Sequence, residues 1–155
     1  MKQHHFNRSK LAKLMTFDDY LEIEKAYLEY VQITYPNYPE NRITDVSDRL
    51  KGSRPSNTLQ NCIVRYLLWT GNQAEQINTT GTYRKGIGWT PSGSTKGSAD
   101  ISATVKGRSV KIEVKIGRDV QSEAQQKYQN NIERAGGIYW IVKTFTEFLI
   151  KYKTL

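Results

Sequence analysis

One cysteine, two histidines and four prolines are all that 155 residues hold of those types, and each scarcity removes a class of chemistry. Cys62 has no partner for an internal disulfide, which fits a reducing compartment. It stands in the apolar run Cys62-Ile63-Val64 and reads as a buried structural thiol, not a nucleophile. Both histidines, His4 and His5, fall within the first few residues, so neither a Cys–His catalytic pair nor a zinc site of Cys and His is expected. A metal, if one is used, has to be held by carboxylates, and that selects a hard ion such as Mg2+. Apolar residues nowhere run together for the roughly 18 positions that a membrane-spanning helix needs. Met1 to Met15 carries Lys2, Arg8, Lys10 and Lys13 without an apolar stretch of signal-peptide length. The expectation is a protein without a membrane partner that stays where it was made.

Positive charge is what the chain has in excess. The formal net charge is +8, unevenly spread. Residues 1–56 carry nine Lys/Arg against eight Asp/Glu, whereas residues 57–155 carry fourteen against seven. A basic C-terminal two-thirds suits a polyanionic partner. The length allows one compact domain with its own core, and no internal repeat or low-complexity tract interrupts it.

The hydrophobic spacing predicts an α/β order of helix, helix, β-hairpin, helix, strand, helix. Thr16-x-x-Asp19 reads as a capping box, followed by Tyr20, Ile23, Tyr27, Tyr30 and Val31 at helical spacing up to about Tyr35. Pro36 to Pro55 reads as a linker with a short helical turn around Val46 to Leu50. A second helix, capped by Ser56 or Asn57, carries Leu59, Ile63, Tyr66 and Leu67 and stops at Gly71. Gln73 to Ala99 is polar and Gly-rich, with room for one strand in what is mostly loop, and Gly81 and Gly88 are candidates for special turn geometry. Beyond the hairpin, Ser122-x-x-Gln125 opens a helix with the stripe Ala124, Tyr128, Ile132, Ala135, which Gly136-Gly137 closes. Ile138 to Val142 is apolar throughout, as in a strand buried on both faces, and Thr144-x-x-Glu147 opens a final helix carrying Phe148 and Leu149.

The hairpin carries the chemistry. Ala99, Ile101, Ala103 and Val105 alternate with Asp100, Ser102 and Thr104. After Lys106-Gly107, Val110, Ile112, Val114 and Ile116 alternate with Ser109, Lys111, Glu113 and Lys115. Only a turn of even length gathers all the apolar side chains on one face, and such a turn sets Asp100 opposite Glu113. Two carboxylates so close raise each other's pKa unless a cation lies between them. Lys115 emerges on the same face one pleat further on, where an ammonium can orient a water or offset charge on a phosphate. Acids and lysines are equally ordinary on the polar side of an amphipathic hairpin, so this spacing alone divides evenly between site and surface.

Gly97-Ser98-Ala99-Asp100, then Ile112-Glu113-Val114-Lys115 beyond the turn, resembles the signature of the PD-(D/E)XK nucleases. The continuation through Ser122-Glu123-Ala124-Gln125, a helix, Gly136-Gly137 and a strand is similar to the VRR-NUC branch of that superfamily, over roughly Ser56 to Phe148. The resemblance implies a restriction-endonuclease-like α/β core, a mixed central sheet flanked by helices, in residues 56–155. Residues 1–55 would then be an N-terminal helical extension and linker. It implies Asp100, Glu113 and the Val114 carbonyl as metal ligands, Lys115 as the catalytic lysine, and Gln125 aimed at the site from the following helix. The cofactor would be Mg2+ or Mn2+, and the substrate DNA, cut by phosphodiester hydrolysis at junctions or flaps. Arg84, Lys85, Lys96 and Arg118 are candidate phosphate contacts. A homodimer in the cytoplasm of a bacterial or phage-infected cell is the matching context, with tyrosines of the first long helix at the dimer contact. Where many members carry a glutamate on the helix before the hairpin, this chain has Ser56-Asn57-Thr58-Leu59-Gln60, with no acid, which leaves the number of metals open. The competing expectations are a binding module that keeps the fold without cleaving, motivated by that missing acid, and the cleavage subunit of a restriction-like system.

Overall fold

The computed structural model describes residues 2–7, 9–77, 82–90 and 93–155. Helices α1 (Lys2–Asn7), α2 (Phe17–Thr34), α3 (Val46–Leu50) and α4 (Pro55–Trp69) precede strand β1 (Gln73–Gln76). The strands β2 (Thr82–Arg84), β3 (Gly88–Thr90), β4 (Ile101–Val105) and β5 (Arg108–Val114) follow, then α5 (Glu123–Arg134), β6 (Ile138–Val142) and α6 (Phe145–Thr154). The main sheet has the order β1-β4-β5-β6. Only β5 and β6 run parallel, through the α5 crossover, so the molecule is α/β with a mixed four-stranded sheet flanked by helices.

Local chemistry explains most of the helix boundaries. The Thr16–Asp19 capping box has both reciprocal hydrogen bonds and starts α2. The short helix expected at Val46 to Leu50 is present, capped by Asp45. For α4 the expected cap is displaced: Arg54 occupies the capping position without a side-chain bond, and Pro55 takes the first helical position, where its missing N–H costs nothing. Leu59, Ile63, Tyr66 and Leu67 are all buried as their spacing requires. Thr144 caps α6 by accepting from the Glu147 N–H, and Phe148 and Leu149 are buried.

Three strands, not one, are found between Gln73 and Ala99. β1 pairs antiparallel with β4 at the sheet edge, and β2 and β3 form a separate two-stranded ribbon. β1 buries only Ala74, so its own alternation is nearly silent, and its strand character comes from pairing with β4. β6 lies at the opposite edge. Tyr139 and Trp140 are nonetheless both buried although they project to opposite faces, because helices cover both sides. In the α5 stripe, Ala124, Tyr128 and Ile132 are half-buried, but Ala135 is the exposed C-cap residue.

A single apolar cluster joins Ile23, Tyr27 and Val31 of α2, the α4 stripe, the inner face of the sheet and Phe145 and Phe148 of α6. Residues before and after position 55 thus contribute to the same core. Tyr20 and Tyr27 are buried in it, so these α2 tyrosines are core and not dimer surface, whereas Tyr35 and Tyr38 beyond the helix are exposed. Among the described residues no helix is long and apolar enough to cross a membrane.

The helices are polarised relative to the sheet. α6 follows β6 after a two-residue connection, and α5 follows the C-terminal end of β5 after an eight-residue connection. The start of α2 is tied to the start of α6 by Phe145 N–H donating to Leu14 O (2.7 Å) and by Thr146 Oγ1 donating to Asp19. α4 ends near the hairpin turn, where Asn72 Oδ1 accepts from the Lys106 N–H (3.1 Å). Its first turn therefore lies toward the opposite end of the sheet. The amino ends of α2, α4, α5 and α6 all gather at the end where β5 and β6 finish, which is where open α/β sheets bind ligands.

Candidate active site

The hairpin register is the one that the alternation requires. Ile101 pairs with Ile112 and Val105 with Arg108, around a two-residue turn in which Lys106 (φ 49°) and Gly107 (φ 79°) are both left-handed. A non-glycine residue in that conformation is strained. Lys106 is held there by the Asn72 bond, by Nζ donating to Tyr152 O (3.0 Å), and by packing of its ammonium over the Tyr152 ring.

The β4–β5 ladder ends at Ile101–Ile112, and Asp100 takes over one residue later with its side chain. Asp100 Oδ2 accepts from the Val114 N–H (2.8 Å), while the Asp100 carbonyl accepts from Ile77 N–H on the other side (2.7 Å). In an extended strand, a residue's N–H and C=O point to the same edge. The Val114 carbonyl therefore faces the side of Asp100, past the point where β4 leaves off. This places Val114 where the resemblance expects a main-chain ligand.

Glu113 is 2 % exposed and Lys115 6 %, on the face of the sheet that α5 covers. Lys115 Nζ lies 3.0 Å from Glu113 Oε1 and 3.5 Å from Asp119 Oδ2, and donates to Gln125 Oε1 (3.0 Å). Gln125 Nε2 donates to Glu113 Oε1, and the Tyr139 hydroxyl reaches Glu113 Oε2 at 3.4 Å. Gln125 also closes the α5 capping box through Ser122 N–H, so the bond that starts the helix also aims it at the carboxylate. One side chain therefore both caps α5 and contacts Glu113 and Lys115.

Burial pushes the Asp100 carboxyl above its ordinary value, against the Val114 hydrogen bond and the Lys115 charge. Burial and the charge of Asp100 push Glu113 up in the same direction, against Lys115. Burial works against the Lys115 ammonium, but the hydrogen bond and charge of Glu113 together with Asp119 more than offset it, so Lys115 is held protonated. The Tyr139 hydroxyl is pushed well up by burial and by Glu113, so it acts only as a neutral donor. Two carboxyls whose proton affinity is raised by burial, and in Glu113 also by the charge of Asp100, suit a hard divalent cation. Asp100, Glu113 and the Val114 carbonyl fit such an ion. Among the described residues no cluster of three or more His, Cys, Asp or Glu side chains forms a metal site.

The remaining candidates are scattered. Lys96 is exposed in the turn that leads into Asp100, and Arg118 is exposed in the loop after Lys115. Lys85 is exposed between β2 and β3, and none of the three makes an ion pair or hydrogen bond with the carboxylate cluster. Gly81 and the Arg84 side chain lie outside the described residues. Gly88 has a positive φ with open space around it, so its conformation and not its size is what matters. Gln60 makes no polar contact with the cluster, and its neighbour Asn61 instead bonds Lys51 O and accepts from Gln76.

Two contributors, Tyr139 and Asp119, were not visible in the sequence, and a third, Gly97, was visible only as the first residue of a motif and not for its packing. Gly97 (φ +82°) passes so close to α5 that a Cβ there would lie 2.4 Å from the Ala124 carbonyl. Its place in Gly97-x-x-Asp100 is the one signal that marks it. Tyr139 is hidden inside an apolar run, and Asp119 in a loop without pattern. No protein-family model, curated protein or solved structure matches this chain.

Proposed function

We propose that this chain is a divalent-metal-dependent nuclease with a restriction-endonuclease-like core that hydrolyses phosphodiester bonds in DNA. The observation that carries the reading is the convergence of Asp100, Glu113, Lys115 and Gln125 in one dehydrated cluster at the ligand-binding end of the sheet. Such a cluster works against folding stability, and a purely structural hairpin has no use for it.

Asp100 and Glu113 would hold Mg2+ or Mn2+ with the Val114 carbonyl, and the ion would supply Lewis acidity toward a phosphate oxygen and toward water. Lys115, kept charged by Glu113 and Asp119, offsets negative charge as it builds on the phosphate and orients the incoming water. A lysine held protonated is a poor base, so the proton of that water leaves to solvent or to the phosphate. Gln125 fixes the carboxylate of Glu113 and the ammonium of Lys115 relative to each other. Tyr139 holds the second oxygen of Glu113 from below.

The reading extends to branched DNA as substrate, flaps or junctions, and to a homodimer that offers two such sites to two strands. A second reading, a binding module without cleavage, is favoured by one observation: α4 brings no acid to the cluster. Incubation with flap, four-way, single-stranded and duplex DNA separates the two. Wild type with Mg2+ or Mn2+ is expected to cut, and Asp100→Ala, Lys115→Ala and chelator each to reduce cutting by about 10²-fold or more. Binding of every substrate without cutting establishes the module instead, and cutting that survives Asp100→Ala sinks the assignment of the site.

A further inference from the structure

The cluster occupies one end of the sheet, and a second feature shares that end. A cleft runs between the 3₁₀ turn Lys10–Lys13, the Lys51–Arg54 connection and the first turn of α4. It consists of two adjoining hollows of about 480 and 200 Å3 that share Lys10, Gly52 and Thr58. Its charged lining is entirely cationic: Lys10 and Lys13 from the 3₁₀ turn, and Lys51 and Arg54 from the connection before α4. All four are exposed; Lys51 pairs with Asp48, whereas Lys10, Lys13 and Arg54 have no acidic partner among the described residues. Three unpaired cations held together across a cleft repel one another, an arrangement that an anion relieves.

The backbone here is built, not draped. Gly52 N–H donates to Thr58 Oγ1 (3.1 Å), and a Cβ at Gly52 would sit 2.6 Å from Thr58 N, so only glycine lets the connection lie against α4. That close approach draws Lys51 and Arg54 to the helix start, where no side chain caps the free N–H groups of the first turn.

Distance to the cluster follows from hydrogen bonds. Lys115 N–H donates to Val142 O, and three residues later Phe145 N–H donates to Leu14 O, next to Lys13. At no more than about 3.8 Å per residue, these links hold the Lys13 backbone within about 25 Å of Lys115, at most roughly seven base pairs of duplex at 3.4 Å each.

We propose that this cleft is a phosphate-binding track for the nucleic-acid backbone, continuing the path of the strand from the Asp100–Glu113 centre across the N-terminal segment. The substrate class rests on the nuclease reading; the anionic partner rests on the cleft itself. The N-terminal fifty residues then serve substrate binding as well as the core.

The test measures binding, not cleavage. Fluorescence anisotropy with labelled duplex and flap DNA in chelator compares wild type with Lys13→Gln/Arg54→Gln and with a matched pair at the far end, Arg65→Gln/Arg108→Gln. The cleft pair is expected to bind at least tenfold more weakly at about 0.1 M salt, and the slope of log K against log salt to fall by up to roughly 2. The far-end pair should stay within about twofold of wild type. The charge-preserving Lys13→Arg/Arg54→Lys should restore most of the affinity, and equal thermal melts establish that all are folded. Equal loss in both pairs, or none in the cleft pair, overturns the track. A wild type that binds through the cleft but never cuts overturns the nuclease reading and leaves the track standing. A wild type that binds an acidic peptide and no nucleic acid overturns both.

Discussion

Around Ile112 and Glu113 the two faces of β5 are equally dry and chemically opposite, whereas nearer the turn the outer face is open at Thr104 and Ser109. Ile112 is 0 % exposed on the inner face, and its neighbour Glu113 is 2 % exposed on the other. The inner face is closed by α2, α4 and α6 with apolar and aromatic side chains, and every contact there favours folding. The outer face is closed by α5 over Asp100, Glu113 and Lys115, where burial raises the proton affinity of both acids, and the Val114 hydrogen bond at Asp100 and the Lys115 hydrogen bond and charge at Glu113 only partly compensate. Equal burial therefore does not mean equal purpose. One face holds the fold together, and the other gives up part of that stability to keep two acids and a lysine out of water.

The largest effect expected from this contrast lies on the inner face. Ile112→Ala removes a fully buried side chain between sheet and helices and should cost about 2–5 kcal/mol by denaturant melt, with m unchanged. A cost below about 1 kcal/mol would mean that the inner face is not the stabilising one. Next is Gly97→Ala, where the new methyl group collides with α5 backbone and the positive φ resists any side chain. A loss of about 2–3 kcal/mol is expected, together with loss of cutting, because the collision pushes α5 and Gln125 off the carboxylates. Retained activity at unchanged stability would show that the Gly97 approach is incidental.

Much of this was legible in the sequence, and the reason differs by element. The capping boxes at Thr16 and Ser122 are local, so three residues suffice to announce them. The hairpin was legible because strict alternation admits only an even turn, which fixes Asp100 beside Glu113 without any family knowledge. β1 was not, since one buried alanine in four residues carries no period and the pairing partner lies nearly thirty residues away. The burial of Glu113 and Lys115 was equally hidden: alternation marks a polar face but does not say whether a helix will cover it. The displaced α4 start is a conflict between two local rules, in which Pro55 at the first helical position outweighed Ser56 as a cap. The burial of Tyr20 and Tyr27 was not legible because tyrosine suits core and surface alike.

A smaller effect sharpens the role of the helix that covers the charged face. Gln125→Glu keeps an acceptor for the Ser122 N–H, and glutamate serves a capping box as well as glutamine does. It replaces the donor facing Glu113 with a like charge. In chelator the variant should lose roughly 1–2 kcal/mol, and millimolar Mg2+ or Mn2+ should restore more of its stability than it adds to wild type. If the ion adds nothing to either protein, the outer face is not a metal site.

The smallest effect is also the one with the most revealing sign. Asp100→Asn keeps an oxygen for the Val114 N–H and removes one of two mutually repelling charges. The folded-state pKa of Asp100 is raised above its unfolded value, so the wild type binds that proton more tightly when folded. It is therefore relatively more stable at low pH and loses that stability as pH rises through the raised value. The amide in the variant has no such proton to lose. In chelator at neutral pH the variant should melt higher than wild type by about 1 kcal/mol, or roughly 2–4 °C, while cutting is abolished. The advantage should shrink as pH falls and disappear below the ordinary carboxylate range. Added Mg2+ should reverse the order of the two melts, because only the wild type has both charges with which to hold the ion. A variant that melts lower than wild type at neutral pH in chelator would mean that Asp100 is a structural cap for β5 first and a ligand second.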